Sequence, residues 1–143
     1  MLVCALLIAA CEARTSVQPD FDAALERHLG AIQSRNLEAF ASTLTSGDTL
    51  YMIFPDGEAL TTPAQAIALH KEWFADRDWV WEGEVVQKTV GAELATVLMK
   101  YDYRDTPESA PRSSWLVLVF RLEDGEWRLV HDQNTRIGAA TVE

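Results

Sequence analysis

The stretch that most restricts how this chain can fold is Ser114 to Ile137. It reads Ser-Trp-Leu-Val-Leu-Val-Phe-Arg-Leu, then Glu-Asp-Gly-Glu, then Trp-Arg-Leu-Val-His-Asp-Gln-Asn-Thr-Arg-Ile. Two runs rich in β-branched and aromatic residues flank an Asp-Gly pair, the strongest short-range signal for an antiparallel hairpin. In the first run strict alternation sets Leu116, Leu118 and Phe120 on one face and Trp115, Val117 and Val119 on the other. Neither face is polar, so both need cover. In the second run the same rule groups Trp127, Leu129, His131 and Gln133 against Arg128, Val130, Asp132 and Asn134. Polar groups thus replace apolar ones towards the strand's end.

A chain of 143 residues is long enough for one domain with a sizeable core, and 48% hydrophobic residues with five Trp argue for a globular body. The formal charge of −10 and the scatter of the 12 basic residues argue against nucleic acid, whose phosphates require clustered Lys and Arg. No repeat, no low-complexity tract and no apolar run of roughly 20 residues is present.

Met1 to Ala10 is apolar and ends Leu-Ile-Ala-Ala before Cys11. This resembles the end of a bacterial secretory signal, and Ile8-Ala9-Ala10-Cys11 resembles the lipobox at which bacterial lipoproteins are acylated. The division expected is a signal peptide over 1–10, a tether over 11–19 with Cys11 lipidated, a folded domain over 20–138 and a tail over 139–143. Cys4 would leave with the signal, so Cys11 has no disulfide partner. That reading implies the bacterial cell envelope, with the domain periplasmic or secreted. The alternative is a buried first element carrying two ordinary cysteines.

Along the folded part, Asp20 is a candidate N-cap for a helix with Phe21, Leu25, His28, Leu29 and Ile32 on one stripe. A second short helix covers Leu37 to Leu44. Thr49 to Phe54 reads as a strand, Pro55-Asp56-Gly57 as a turn, and Glu58 to Leu60 as a brief return. Thr62-Pro63 opens a third helix, a cap hydroxyl followed by Pro at the first position, on which Ile67, His70 and Phe74 share a stripe. Four long strands complete the chain: Trp79 to Val90, Ala92 to Arg104, and the two arms of the hairpin. The order is α+β, with helices segregated to one face of a bent antiparallel sheet.

At this point the chain resembles the nuclear transport factor 2-like superfamily, which includes SnoaL-like polyketide cyclases, ketosteroid isomerases and the kinase association domain. The resemblance is carried by Arg35-Asn36-Leu37-Glu38-Ala39-Phe40, by Pro55-Asp56-Gly57, by His70 to Phe74, and by Asp124-Gly125-Glu126-Trp127-Arg128-Leu129-Val130-His131-Asp132. It implies a cone-shaped, strongly bent sheet on three N-terminal helices, a cystatin-like α+β barrel with a pocket between helices and sheet. It also implies dimerisation through the sheet's outer face, for which Tyr101, Tyr103, Trp115 and Trp127 are the apolar candidates. One reaction is not implied, because the fold hosts many.

Candidates for chemistry are His70 and Asp132, an imidazole that titrates near neutrality and a carboxyl that could orient it. Expected around them as a pocket lining are His28, Tyr51, Phe54, Trp73, Trp81, Leu98, Leu118 and Asn134. For either histidine the alternative is a hydrogen-bonded core residue, and for the aromatics plain packing. In ketosteroid isomerases an Asp stands before the turn proline as the base. This chain has Phe54 there, and His28 at the helix position of the assisting Tyr. No metal motif, phosphate loop or GxSxG is present, and no metal or cofactor is expected. The leading expectation is a dimeric domain that binds a small, largely apolar molecule in an internal pocket. The alternatives are a cyclase, dehydratase or isomerase using His70 with Asp132, and an envelope scaffold whose pocket is filled by side chains.

Overall fold

The computed structural model describes residues 19–138. The signal peptide expected over 1–10, the lipidated Cys11 with all of its tether but Pro19, and the tail over 139–143 lie outside the described residues.

Helix α1 (Phe21–Gln33) begins where the Asp20 carboxylate accepts from the backbone N–H of Asp22 and Ala23, at 2.9 and 3.3 Å. Its buried residues, Phe21, Ala24, Leu25, His28, Ala31 and Ile32, follow the three-and-four spacing of one helical stripe. Arg35 ends it in a left-handed conformation at φ 53° and is held there by its own side chain. The guanidinium donates to the Trp79 carbonyl at 2.7 Å and lies over the Trp79 ring at 3.9 Å. Asn36 then caps α2 (Leu37–Ser42) through the Ala39 N–H.

Strands β1 (Tyr51–Ile53) and β2 (Ala59–Leu60) flank the Pro55-Asp56-Gly57 turn, where Gly57 takes φ 91°. Thr62 caps α3 (Pro63–Ala75) from the front, and Gln65 Oε1 accepts in return from the Thr61 N–H at 3.0 Å. The long strands are β3 (Val80–Val90), β4 (Leu94–Arg104), β5 (Arg112–Glu123) and β6 (Glu126–Arg136). Asp124 and Gly125, at φ 50° and 84°, form the two-residue turn between the last two. The sheet order is β2-β1-β6-β5-β4-β3, and the core lies between its inner face and the helices. All pairs are antiparallel except β1 with β6, which run parallel.

The side chains that face the helices depart in two places from the expected alternation. In β6, His131 pairs with Val119 but Leu129 pairs with Phe120, so Val130 is an extra residue in a bulge. One inserted residue reverses the parity of the rest of the strand. Trp127 and Leu129, before the bulge, and Asp132, after it, are therefore all buried on the inner face. Trp127 does not belong to an outer dimer face: it is 3% exposed, meets Phe21 edge to face at 5.4 Å, and donates its indole N–H to the Pro19 carbonyl at 2.9 Å. In β4 the inward set is Ala95, Val97 and Met99, continued by Tyr101 and Tyr103. The two tyrosines are thus also on the inner face, and Leu98, paired laterally with Val117, is on the outer one. Trp115 and Val117 remain exposed on that outer face, at 38% and 37%.

Candidate functional site

The inner face is not filled along its whole length. Towards the β5–β6 turn the space is closed by Phe21, Leu25, Phe40, Phe120, Trp127 and Leu129. Towards the other end, between α3 and the strand ends, lies a hollow of about 360 Å³. Its floor is made by the buried residues Ile32, Met52, His70, Leu116 and Asp132. Phe54, Trp73, Trp81, Tyr101, Tyr103 and Asn134 form half-buried walls, and Pro55, Leu69, Arg112 and Arg136 also border it.

His70 comes from the buried stripe of α3, with Ala66 and Phe74. Its Nδ1–H donates to the Ala66 carbonyl at 2.8 Å, one turn back on the same helix. The ring stacks on Phe40 at 3.8 Å between centroids and meets Trp73 and Phe74 edge-on. Burial lowers its pKa to about 4, against a small opposing effect of the Ala66 carbonyl, so at neutral pH the ring is uncharged with its proton on Nδ1. Nε2 is then an acceptor.

Asp132 faces the same hollow because of the Val130 bulge. Burial raises its carboxyl to about 7, partly offset by the Asn134 side-chain amide, which donates to Oδ1 at 2.6 Å. Asn134 also donates to the Ile53 carbonyl at 3.1 Å and accepts from the Tyr101 hydroxyl at 2.8 Å. Strands β1, β4 and β6 are thereby tied together by one fully engaged amide, and burial raises the Tyr101 phenol as well. No hydrogen bond joins His70 to Asp132 among the described residues; the imidazole is oriented by a backbone carbonyl, not by a carboxylate.

Of the residues expected at a pocket, His70, Asp132, Phe54, Trp73, Trp81 and Asn134 line the hollow. Four do not. His28 is sealed in the packed end, donating Nδ1–H to Thr43 Oγ1 at 2.8 Å, whose own hydroxyl donates to the Phe40 carbonyl. Burial, with a smaller contribution from His70, lowers its pKa to about 3. Tyr51 is 47% exposed because Met52 takes the inward place on β1. Leu98 has the outward parity of β4, and Leu118 is closed over by the core at 1% exposure.

Tyr101, Tyr103, Arg112 and Arg136 border the hollow without having been expected there. For the tyrosines a signal existed: residues 95, 97, 99, 101 and 103 carry no formal charge, whereas the opposite face ends in Lys100 and Asp102. The arginines carry none, since an exposed strand-end Arg looks the same wherever it stands. Arg112 pairs bidentately with Asp105 and lies over the Tyr103 ring at 5.1 Å. Among the described residues no three His, Cys, Asp or Glu are grouped to hold a metal ion, and no helix is long and apolar enough to cross a membrane.

A helix-backed, curved sheet with a hollow at one end is the cystatin-like α+β fold, the fold also of a solved NTF-2 like protein from Shewanella oneidensis. The SnoaL-like domain family model matches residues 22–134, and the chain belongs to that family. Among solved structures it is similar to a proposed calcium/calmodulin-dependent protein kinase type II association domain from Thiobacillus denitrificans, at 21% identity and TM-score 0.73, covering 85% of this chain and 98% of that one. It is also similar to a proposed dehydratase of the NTF2-like family from Streptomyces avermitilis, at 13% identity and TM-score 0.70, covering 83% and 94%. An LEH-like epoxide hydrolase from M. tuberculosis aligns at 15% identity and TM-score 0.61, covering 80% of each chain. At such identities the likeness is one of fold. No protein of curated function matches the chain significantly.

Proposed function

We propose that this domain binds a small, largely apolar molecule in the hollow between α3 and the sheet. The observation that carries the reading is the hollow itself, about 360 Å³ with walls of Phe54, Trp73, Trp81 and Tyr101 and only two polar groups on its floor. Concave, mostly apolar spaces of this size with a few placed polar groups are where proteins take up small molecules. A scaffold with a side-chain-filled interior has less support, since the same sheet is solid at one end and hollow at the other. We read the outer face around Leu98, Trp115 and Val117 as a dimer surface, because these apolar side chains adjoin one another across β4 and β5. The envelope location and the Cys11 anchor are proposed on the sequence alone.

A second reading, an enzyme of the cyclase, dehydratase or isomerase kind, is favoured by one observation, the carboxyl buried in the floor of the hollow. Asp132, raised by burial to about 7, can hold or release a proton near neutrality. Against the paired form of that mechanism stands the Ala66 carbonyl on the His70 Nδ1–H.

Native mass spectrometry of protein purified under mild conditions tests both the binding and the dimer. The expected spectrum is a dimer carrying a small-molecule adduct, with the adduct missing from Leu116→Trp, whose indole would occupy the hollow. A spectrum with no adduct, together with no uptake of added apolar probes, would remove the binding reading. A monomer at micromolar concentration would remove the dimer.

A further inference from the structure

The floor of the hollow is chemically narrower than its walls. Three of its five buried residues are apolar, so the polar chemistry there comes from His70 and Asp132. The His70 Nδ1–H is engaged by Ala66, which leaves Nε2 with a lone pair and no hydrogen in the neutral ring. Among the described residues no group hydrogen-bonds to His70 Nε2, and yet that atom is not sealed in packing as the equally unpartnered His28 Nε2 is. Asp132 Oδ1 accepts from Asn134, and Oδ2 is likewise unsealed and without a partner among the described residues. Neighbouring donors are already used: both Asn134 amide hydrogens point to Asp132 and Ile53, and the Tyr101 hydroxyl points to Asn134 Oδ1. The remaining donors around the hollow belong to Trp73, Trp81, Tyr103, Arg112 and Arg136, all of them partly or largely exposed.

Resting on the binding reading above, we infer that the molecule this hollow takes up carries a neutral hydroxyl at the end that reaches the floor, an alcohol or phenol on an apolar skeleton, with His70 Nε2 and the free Asp132 oxygen as its partners. A hydrocarbon end would leave two buried acceptors dry, stripped of hydration with nothing in exchange. A ketone can only accept, so it meets no donor on the floor while Asp132 is ionised. An ammonium donates but must lose its hydration in an apolar enclosure. A hydroxyl fits both states of the carboxyl. It donates to ionised Asp132 or to His70, and when Asp132 is protonated it accepts from the carboxylic acid while donating to Nε2.

The test uses the whole chain and three naphthalenes followed by titration calorimetry at pH 7.5. 2-Naphthylmethanol and 2-methoxynaphthalene are isomers that differ in having or lacking a donor, and 2-acetonaphthone adds a carbonyl. The alcohol is expected to bind about tenfold more tightly than either of the others, about 1.4 kcal/mol. In the double variant His70→Phe with Asp132→Leu, which removes both acceptors, that preference is expected to disappear while 2-methoxynaphthalene is still bound. Equal affinity of the two isomers for the wild-type chain, or tighter binding of the ketone, would overturn the inference and leave the hollow as a binding site. No binding of any of the three would overturn the binding reading and this inference with it. The wild-type comparison stands even if the variant fails to fold.

Discussion

The two ends of the helix–sheet interface are built from the same kinds of residue and differ in one respect, whether the space is filled. At one end Phe21 meets Phe120 and Trp127 edge to face, with centroids 5.4 Å apart in both pairs, and His28 is enclosed against Phe40 and Phe120 with Nε2 sealed and, among the described residues, unpartnered. At the other end His70, also buried and also neutral, borders a hollow with its Nε2 open. Both histidines sit on the apolar stripe of a helix, and both have Nδ1 held by a hydrogen bond. The comparison teaches that residue type does not separate a core imidazole from a site imidazole; the neighbouring void does.

The contrast breaks most visibly under truncation. Phe120→Ala, at 0% exposure in the packed end, is expected to lose about 3–5 kcal/mol in urea denaturation, whereas a loss under 1 kcal/mol would mean that this end is not close-packed. Enlargement gives the next effect, and here the two ends should disagree. Leu118→Trp, in the packed core, is expected to cost about 1–3 kcal/mol or more, while Leu116→Trp should cost distinctly less because its side chain has the hollow to enter. Equal losses would mean that the hollow closes readily.

Acid should separate the two buried histidines from Asp132 by sign. The folded-state pKa of both histidines, about 3 for His28 and about 4 for His70, lies below the ordinary 6.5, so the unfolded chain binds more protons and stability falls as pH drops from about 6.5 to 4. Asp132 acts oppositely. Its folded value of about 7 exceeds the ordinary 3.8, so the folded state binds more protons between about 4 and 7, and this group's contribution improves as pH falls through that window. The other titratable or charged groups that line the hollow are His70 on α3, Tyr101 and Tyr103 on β4, Arg112 on β5 and Arg136 on β6. Asp132→Asn is therefore expected to steepen the loss of stability in acid, by at most about 1.4 kcal/mol per pH unit. Urea midpoints measured from pH 4 to 8 check this, and a shallower profile in the variant would contradict it.

The smallest effect concerns the amide that joins three strands beside the hollow. Tyr101→Phe removes the hydroxyl donor to Asn134 Oδ1 and should cost about 1 kcal/mol, with little change in the packed end's near-ultraviolet signal. No measurable loss would mean that water replaces the phenol.

Much of the framework was legible in the sequence. Asp20 and Thr62 cap the first and third helices as expected, the Asp124-Gly125 turn joins the two strands it was expected to join, and the Asn36 cap of the second helix is a finding of the structure. These come from local chemistry, a side-chain oxygen near free N–H groups or a backbone needing positive φ, and local chemistry is written in adjacent residues. Which face of a strand looks inward is not local. Alternation is symmetric, so β4 offered two usable faces, and only packing against the helices chose Ala95, Val97 and Met99, with Tyr101 and Tyr103 continuing the set.

The Val130 bulge is the sharper case. Strict period two set Trp127 and Asp132 on opposite faces, while one unpaired residue turns both inward, Trp127 to close the packed end and Asp132 to line the hollow. What the sequence alone determined was the set of elements, their caps and their turns. What only the tertiary structure decided was the parity of the strands and the position of the void, because both depend on how partner strands and helices pack across the sheet, and neighbouring residues in the chain do not encode that.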